Sequence, residues 1–170
     1  GYDTVDQQPF LFDGVTDGRL APKERVVTLG EQDSETPISI PHSQLRAVGV
    51  VNLEFEGAPL TVFWQPGVTS ALDGANISES EDIGGTGVFS AVVDGESLTF
   101  TSTVGGEPVI TDEQTGSTWD ITGRAIDGPL AGTSLEAANH GDHFWFAWAA
   151  FVPQTSIWTT DGVISPSEEA

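Results

Sequence analysis

The stretch of residues 112–151, DEQTGSTWDITGRAIDGPLAGTSLEAANHGDHFWFAWAAF, holds three of the five tryptophans and two of the three histidines of the chain. Its first half alternates small polar and large apolar residues between glycine and proline turns, which is typical of short strands that bury one face. We predict a polar turn at 112–116, then strands over 117–121, 123–126 and 133–137.

The second half of the stretch changes period. Phe144, Trp148 and Phe151 recur at the i, i+4, i+7 spacing of a helix. Asp142 is a suitable N-cap and Pro153 a stop signal, so we predict a helix of about two to three turns over residues 143–151. Because that helix is apolar on nearly every side, we expect it to be buried.

The rest of the chain favours hairpins. We predict them for residues 25–29 with 37–40, for 50–55 with 58–64, and for 87–93 with 97–103, with a short helix over 42–48 and a long loop over 65–87. The predicted fold class is mainly β, an antiparallel sheet of about eight to ten strands curled into a small barrel or sandwich, with two short helices, one of them aromatic-rich near the C-terminus. The predicted organisation is an extended lead-in arm with an anchor at Phe10 to Phe12 over residues 1–24, a single mainly-β domain over 25–160, and an acidic tail over 161–170.

The charge balance is extreme, with 26 acidic residues, five basic residues and a formal net charge of −21. Such a surface repels nucleic acid, so we expect no nucleic-acid partner. Of three interpretations, adaptation to high salt is favoured over generic acidic solubility and over a dedicated cation-binding surface, because Lys23 is the only lysine.

Two classes of feature are excluded by composition. The absence of cysteine excludes disulfides, zinc–thiolate sites and thiol nucleophiles from these residues. No apolar run approaches the roughly 18 residues that span a bilayer, so we predict no transmembrane segment.

Several linked segments resemble one family. The stretch from TDEQTGSTWD to FWFAWAAF, together with VVNLEFEGAPLTVFWQPGVTSALD at 50–73 and GVFSAVVDGESLTF at 87–100, resembles the domain of unknown function 3179 family. The resemblance implies export, hence an extracellular or cell-surface location, and a place as the C-terminal half of longer members. Many members carry a Cys-x-x-Cys element where this chain has Gln65-Pro66-Gly67-Val68. The resemblance therefore implies no thiol chemistry for this stretch.

The best chemical candidate is His140-Gly141-Asp142-His143, two imidazoles and a carboxylate within four residues. These groups can ligate zinc, copper or nickel, and His42 or Glu136 can supply a further ligand. Two alternatives remain open. Asp142 can cap the predicted helix while the histidines bond to nearby backbone, which we favour, or the cluster can serve acid–base catalysis.

The expected function is an exported, salt-adapted binding or structural module rather than an enzyme. Its partner would be the other half of a longer chain or another protein, with a homo-oligomer as an alternative, and no cofactor is expected unless the histidines bind zinc or copper. A serine hydrolase using Ser70, His42 and Asp73 is the third candidate, although no Gly-x-Ser-x-Gly motif supports it.

Overall fold

A computed structural model describes residues 17–31, 33–66, 85–103 and 108–166. The elements in chain order are β1 (Arg25–Leu29), β2 (Ile38–Pro41), α1 (His42–Val48), β3 (Val50–Phe55), β4 (Ala58–Gln65), β5 (Gly85–Ser90), β6 (Val92–Val93), β7 (Glu96–Ser97), β8 (Phe100–Ser102), β9 (Ile110–Asp112), β10 (Thr118–Trp119), β11 (Ala125–Asp127), β12 (Gly141–Phe144), α2 (Trp145–Phe151), β13 (Ser156–Thr159) and β14 (Gly162–Ile164). The mainly-β prediction with two short helices is confirmed. The anchor at 10–12 and most of the predicted 65–87 loop lie outside the described residues.

The chain forms two compact units. Of the described residues, 17–31, 33–44 and 140–166 belong to unit 1, and 45–66, 85–103 and 108–139 belong to unit 2. Among the residues that the structure describes, all strand pairs are antiparallel except β2 with β13. None of the sheets formed by the described residues closes into a barrel, and the sandwich stays a prediction.

Unit 1 is built on a five-stranded sheet in the order β12-β1-β2-β13-β14. Cross-strand partners share a face of a sheet, and successive residues alternate between faces. Val27 pairs with Asp142 and Ile40, whereas Val26 pairs with His143 and Pro41. The face that carries Val26 packs against α2, in a core of Val26, Trp145, Ala149 and Ile157.

Unit 2 contains the sheets β3-β4-β5 and β11-β10-β9-β8 and the small hairpin β6-β7. Its core is a chain of aromatic contacts, in which Phe63 lies 5.3 Å from Phe89 and 5.1 Å from Phe100, and Phe100 lies 5.5 Å from Trp119, between ring centroids. The Asn52 side chain joins β3 to β8, because its amide donates to Phe100 O at 2.8 Å and accepts from Phe100 N at 2.9 Å. The Asn52 side chain thus makes the two hydrogen bonds to the Phe100 backbone that a neighbouring strand would otherwise make.

Local signals predicted several elements well. The hairpins β1–β2 and β3–β4 and the helix α1 are confirmed. Glu56 and Gly57 have positive φ values of 51° and 81°, as required of a type I′ turn between two strands. In these elements short-range pattern and final structure agree.

The predicted hairpin of 87–93 with 97–103 is wrong in its pairing. The Asp94-Gly95 turn does close β6 on β7, but that hairpin is only two residues long on each arm. The residues before it form β5, which pairs with β4 instead. The Ala91 N–H donates to Pro59 O on β4, so the pairing with β4 continues one residue beyond β5 before the chain enters β6.

The predicted strand at 133–137 is also wrong. This segment makes only isolated bridges, from Ser134 to Arg124 and from Ala137 to Phe89. Ser90 N donates to Glu136 O and Ala138 N to Val88 O, so the segment lies along the outer side of β5 without forming a regular strand. It covers a sheet edge that would otherwise expose unpaired backbone.

The predicted helix at 143–151 begins two residues later than expected. Residues 141–144 form β12, paired with β1 from Thr28↔Gly141 to Arg25↔Phe144. The N-cap of α2 is therefore Phe144, which makes no side-chain capping bond, and Asp142 caps nothing. Tertiary pairing overrode the helical periodicity.

The helix α2 is also not buried all round. Trp145 and Ala149 are buried, but Phe151 is 69% exposed. Only one side of this short helix faces the sheet. Among the described residues, no helix has the length and apolar content to cross a membrane.

Candidate functional site

Two of the predicted site residues meet across 100 positions of sequence. His42, the first residue of α1, is 5% exposed, and its Nε2 lies 3.0 Å from Asp142 Oδ2 on β12. An ionised carboxylate can only accept, so Nε2 carries the proton and donates it to Asp142. The contact fastens the start of α1 to an outer strand of the unit 1 sheet.

The same end of α1 is held by two further side chains. Glu24 Oε1 accepts a hydrogen bond from Ser43 N at 3.1 Å, and Gln44 Oε1 accepts one from Thr160 N at 3.0 Å. The first N–H groups of a helix have no partner within the helix, and a carboxylate there is favourable. His42 is therefore held in a fixed position beside Asp142.

His143 lies on the other face of the sheet. It follows Asp142 in a strand, so its side chain projects the opposite way, and its ring stacks on Trp148 with 5.0 Å between centroids and 16° between planes. A Cβ at Gly141 would lie 2.5 Å from His143 Nε2 and 2.7 Å from Thr28 Oγ1, so a side chain at this position would displace the His143 ring or the Thr28 hydroxyl. The structure places His143 away from the pair of His42 and Asp142.

His140 is exposed and lies immediately before β12. In the part of the chain that the structure describes, no three His, Asp or Glu side chains are grouped closely enough to hold a metal. The metal site predicted from His140, Asp142, His143 and His42 therefore stays a prediction. Of these four residues, the structure brings His42 and Asp142 into contact. Ser70 and Asp73, the other members of the hydrolase candidate, lie outside the described residues.

A second polar cluster occupies unit 2, around Asp112. This carboxylate is only 2% exposed and accepts hydrogen bonds from the Trp119 indole N–H at 2.9 Å, from the Thr115 hydroxyl at 2.9 Å and from the Thr115 backbone N–H. Burial raises the pKa of Asp112, but the bonds from Trp119 and Thr115 outweigh burial and leave the pKa below its ordinary value. The group is a buried, fully bonded carboxylate.

Ser117 extends this cluster to the next turn. It is fully buried, and its Oγ lies 2.7 Å from Thr115 Oγ1 and accepts the Leu130 backbone N–H at 2.9 Å. Gly128 has φ of +91°, and a Cβ there would lie 2.7 Å from Ser117 Cα. The two turns of the segment are therefore packed against each other.

A family model for DUF3179, described as proteins of unknown function, matches residues 1–155 of the 170 in this chain. The chain belongs to the DUF3179 family. No curated protein and no solved structure gives a significant match.

The Asp112 cluster explains residues of the DUF3179 signature that sequence reasoning left without a role. Asp112 was predicted only as part of a polar turn, and Ser117 only as part of a strand. The available signal was the spacing Asp-x-x-Thr-x-Ser-x-Trp, in which a carboxylate precedes three donors on one turn and the strand after it. In this DUF3179 domain, those polar groups bond to one another and to the local backbone.

Proposed function

We propose that this DUF3179 domain is an exported, salt-adapted binding or structural module rather than an autonomous enzyme. The observation that carries the proposal is that the polar side chains of the signature are engaged within the fold. Asp112, Thr115 and Ser117 are hydrogen-bonded to one another, to Trp119 or to backbone. A segment whose polar groups organise two turns serves folding, so the interaction surface lies elsewhere on the domain.

The distribution of charge supports salt adaptation. The only lysine, Lys23, is 2% exposed, so lysine contributes almost nothing to the surface. Most of the described acidic residues are exposed, namely Glu31, Asp33, Glu35, Glu54, Glu56, Asp94, Glu96, Glu113, Asp127, Glu136, Asp142 and Asp161. Dense surface carboxylates repel one another in dilute buffer, and that repulsion is screened at high ionic strength.

Within unit 2 we propose a sandwich-like arrangement. One apolar cluster takes Val50, Phe63 and Phe89 from the sheet β3-β4-β5 and Phe100 and Trp119 from the sheet β11-β10-β9-β8. Two sheets that share a core in this way are packed face to face. Such a rigid scaffold suits a module that presents a surface to a partner.

Site-specific photo-crosslinking in the source organism tests the module proposal. Phe151, the most exposed large apolar side chain among the described residues, is replaced by p-benzoylphenylalanine, and the exposed Glu31 is replaced in the same way as a matched control. We expect a discrete crosslinked protein from position 151 in the extracellular fraction and none from position 31. Equal labelling at both positions, or none at either, would overturn the proposal.

Metal binding is the second candidate, favoured by the 3.0 Å contact between His42 Nε2 and Asp142 Oδ2. A buried imidazole bonded to a partly exposed carboxylate is the kind of support that metal-binding carboxylates receive in proteins. Elemental analysis of protein purified without an affinity tag or chelator tests this candidate. Stoichiometric zinc or copper would support metal binding. Metal-free protein would leave the binding or structural module as the one remaining proposal.

A further inference from the structure

We propose that β14, an outer strand of the unit 1 sheet, pairs with β14 of a second copy of this chain. The pairing would join the two unit 1 sheets into one continuous sheet. This self-association goes beyond the proposed module, because it needs neither Phe151 nor the partner that Phe151 would contact.

The sheets formed by the described residues protect most of their outer strands. Residues 134–138 run along β5, and Gly132 N donates to Ala125 O on β11. The Asn52 side chain links β3 to β8, and the outer strand β12 carries the Asp142 carboxylate. Covering segments and charged side chains are the usual protection of an outer strand against pairing with another molecule.

The strand β14 lacks this protection. Its residues Gly162–Ile164 include no charged residue and no proline, and Val163 is 59% and Ile164 41% exposed. Apart from its pairing with β13 and a bond from Thr159 Oγ1 to Gly162 O, β14 makes no hydrogen bond within the part of the chain that the structure describes. Alternate residues of an outer strand point their N–H and C=O groups away from the sheet, so β14 offers backbone groups to a further strand.

The residues of β14 fit their own two-fold copies. A two-fold axis makes the paired strands antiparallel, and all three residues find partners only when Val163 lies opposite Val163 of the second copy. Gly162 then lies opposite Ile164, and a Cβ at Gly162 would have nothing within 4 Å, so there is space for the isoleucine side chain. Because Trp158 pairs with Val163 within the β13–β14 hairpin, the two hairpins would share one apolar row across the interface.

The charges beside β14 are complementary in the same register. The exposed Asp161 comes opposite Ser165 of the second copy. The carbonyl oxygen of Ser165 accepts from Arg19 Nη1 at 3.1 Å, so each Asp161 carboxylate is brought toward a guanidinium of the other copy. The attraction is modest, because Arg19 also bonds to Asp17 at 2.9 Å. Asp161 is the only acidic residue within 160–166, so no two carboxylates face each other there.

The dimer should be weak and should require salt. A three-residue strand pair buries far less than the roughly 1,200 Å² of a stable complex, so we expect dissociation in the millimolar range. Each copy carries a net charge of −21, and the repulsion between copies is strongly screened at about 1 M salt, where the Debye length is about 3 Å. We therefore expect pairing at high salt and high protein concentration and not in dilute buffer.

Disulfide trapping in about 1 M KCl tests the interface, since the chain has no cysteine of its own. Under mild oxidation, Val163→Cys should form a linked dimer about tenfold faster than Ile126→Cys, because opposite Cα atoms of paired strands lie about 4.5–5.5 Å apart, within disulfide reach. Ile126 is the matched control, because it is also 59% exposed and lies on β11, whose outer edge is already covered. Ile164→Cys should form a linked dimer more slowly than Val163→Cys, because diagonal partners lie about 7–8 Å apart.

Wild-type protein supplies a second measurement that needs no variant. In about 1 M KCl, the amide NMR signals of Val163 and Ile164 should shift as the protein concentration rises, while that of Ile126 stays in place. Equal trapping rates for Val163→Cys and Ile126→Cys, faster trapping for Ile164→Cys, or β14 signals that do not change with concentration would each overturn the proposal. Signals of β14 that shift only when the extracellular fraction is added would assign the strand to a different protein and overturn the second copy as its partner.

Discussion

At the scale of single residues, Asp112 is a carboxylate that is only 2% exposed. It is nearly excluded from water yet carries a charge that Trp119 and Thr115 stabilise by hydrogen bonding. Burying an ionised carboxylate is costly unless such bonds replace its hydration. Folding of this segment therefore requires the hydrogen bonds that Trp119 and Thr115 donate to Asp112.

Asp112→Asn tests this dependence. In asparagine an amide NH2 group replaces one of the two carboxylate oxygens of Asp112. That nitrogen cannot accept a hydrogen bond, so it would face another donor, either Trp119 Nε1 or the Thr115 N–H. Hydrogen bonds to charged groups contribute about 1.5–3 kcal/mol, so we expect the free energy of unfolding to fall by that amount in urea titrations. Asp127→Asn, at an exposed position, is the control and should change stability by less than about 0.5 kcal/mol.

The pH dependence of the same variant has a defined sign. The pKa of Asp112 is lowered in the folded protein, so its contribution is fully present above the unfolded value of about 3.9 and is lost as pH falls through the folded pKa. The stability difference between wild type and Asp112→Asn should therefore shrink below about pH 4. A difference that stays constant down to pH 2 would show that Asp112 acts through packing alone.

At the scale of elements, two glycines with nearly equal φ allow backbone strain to be separated from steric crowding. Gly128 and Gly132 have φ of +91° and +92°, but a Cβ at Gly128 would lie 2.7 Å from Ser117 Cα whereas Gly132 has nothing within 4 Å. Only Gly128 lies where two turns of the signature meet.

Gly132→Ala should cost only the backbone strain, about 1–3 kcal/mol. Gly128→Ala should cost more than Gly132→Ala, because the backbone of the Ser117 turn must also move. Urea unfolding of the two variants measures the difference. Equal losses of unfolding free energy in the two variants would mean that the backbone of the Ser117 turn moves without a measurable energetic cost.

The helix α2 gives a second comparison within one element. Trp145→Ala should destabilise the protein by about 3–5 kcal/mol, since the ring is fully buried in the core of unit 1. Phe151→Ala, at the exposed end of the helix, should change stability by less than about 0.5 kcal/mol. Thermal and urea unfolding test this, and a large loss in Phe151→Ala would place that side chain in the core.

At the scale of the whole molecule, the charge of −21 governs behaviour in salt. The Debye length falls from about 10 Å at 0.1 M to about 3 Å at 1 M, so repulsion between surface carboxylates weakens strongly over that range. We expect the free energy of unfolding to rise with KCl concentration. Sucrose at matched osmolality controls for general solute exclusion, and full stability in salt-free buffer would contradict salt adaptation.

Hairpins and short helices were predictable where neighbours in sequence are also neighbours in space. The pairs β1–β2 and β3–β4 and the helix α1 follow from alternation, turn residues and Pro41. The family signature was likewise recognisable from its residues. The candidate site was predictable only as a set of residue types, because the partner of Asp142 lies 100 positions away.

The sequence by itself determined the mainly-β class, the acidic surface, the absence of thiol chemistry and the family of the chain. Tertiary structure alone decided that residues 141–144 form a strand, since their backbone groups pair with β1, more than 110 residues earlier in the chain. Because of that pairing, the side chains of residues 141–144 alternate between the two faces of a sheet and do not follow a helical repeat. It turns His143 toward Trp148 and Asp142 toward His42, so the grouping of candidate ligands is set by a long-range hydrogen-bond ladder that no local pattern encodes.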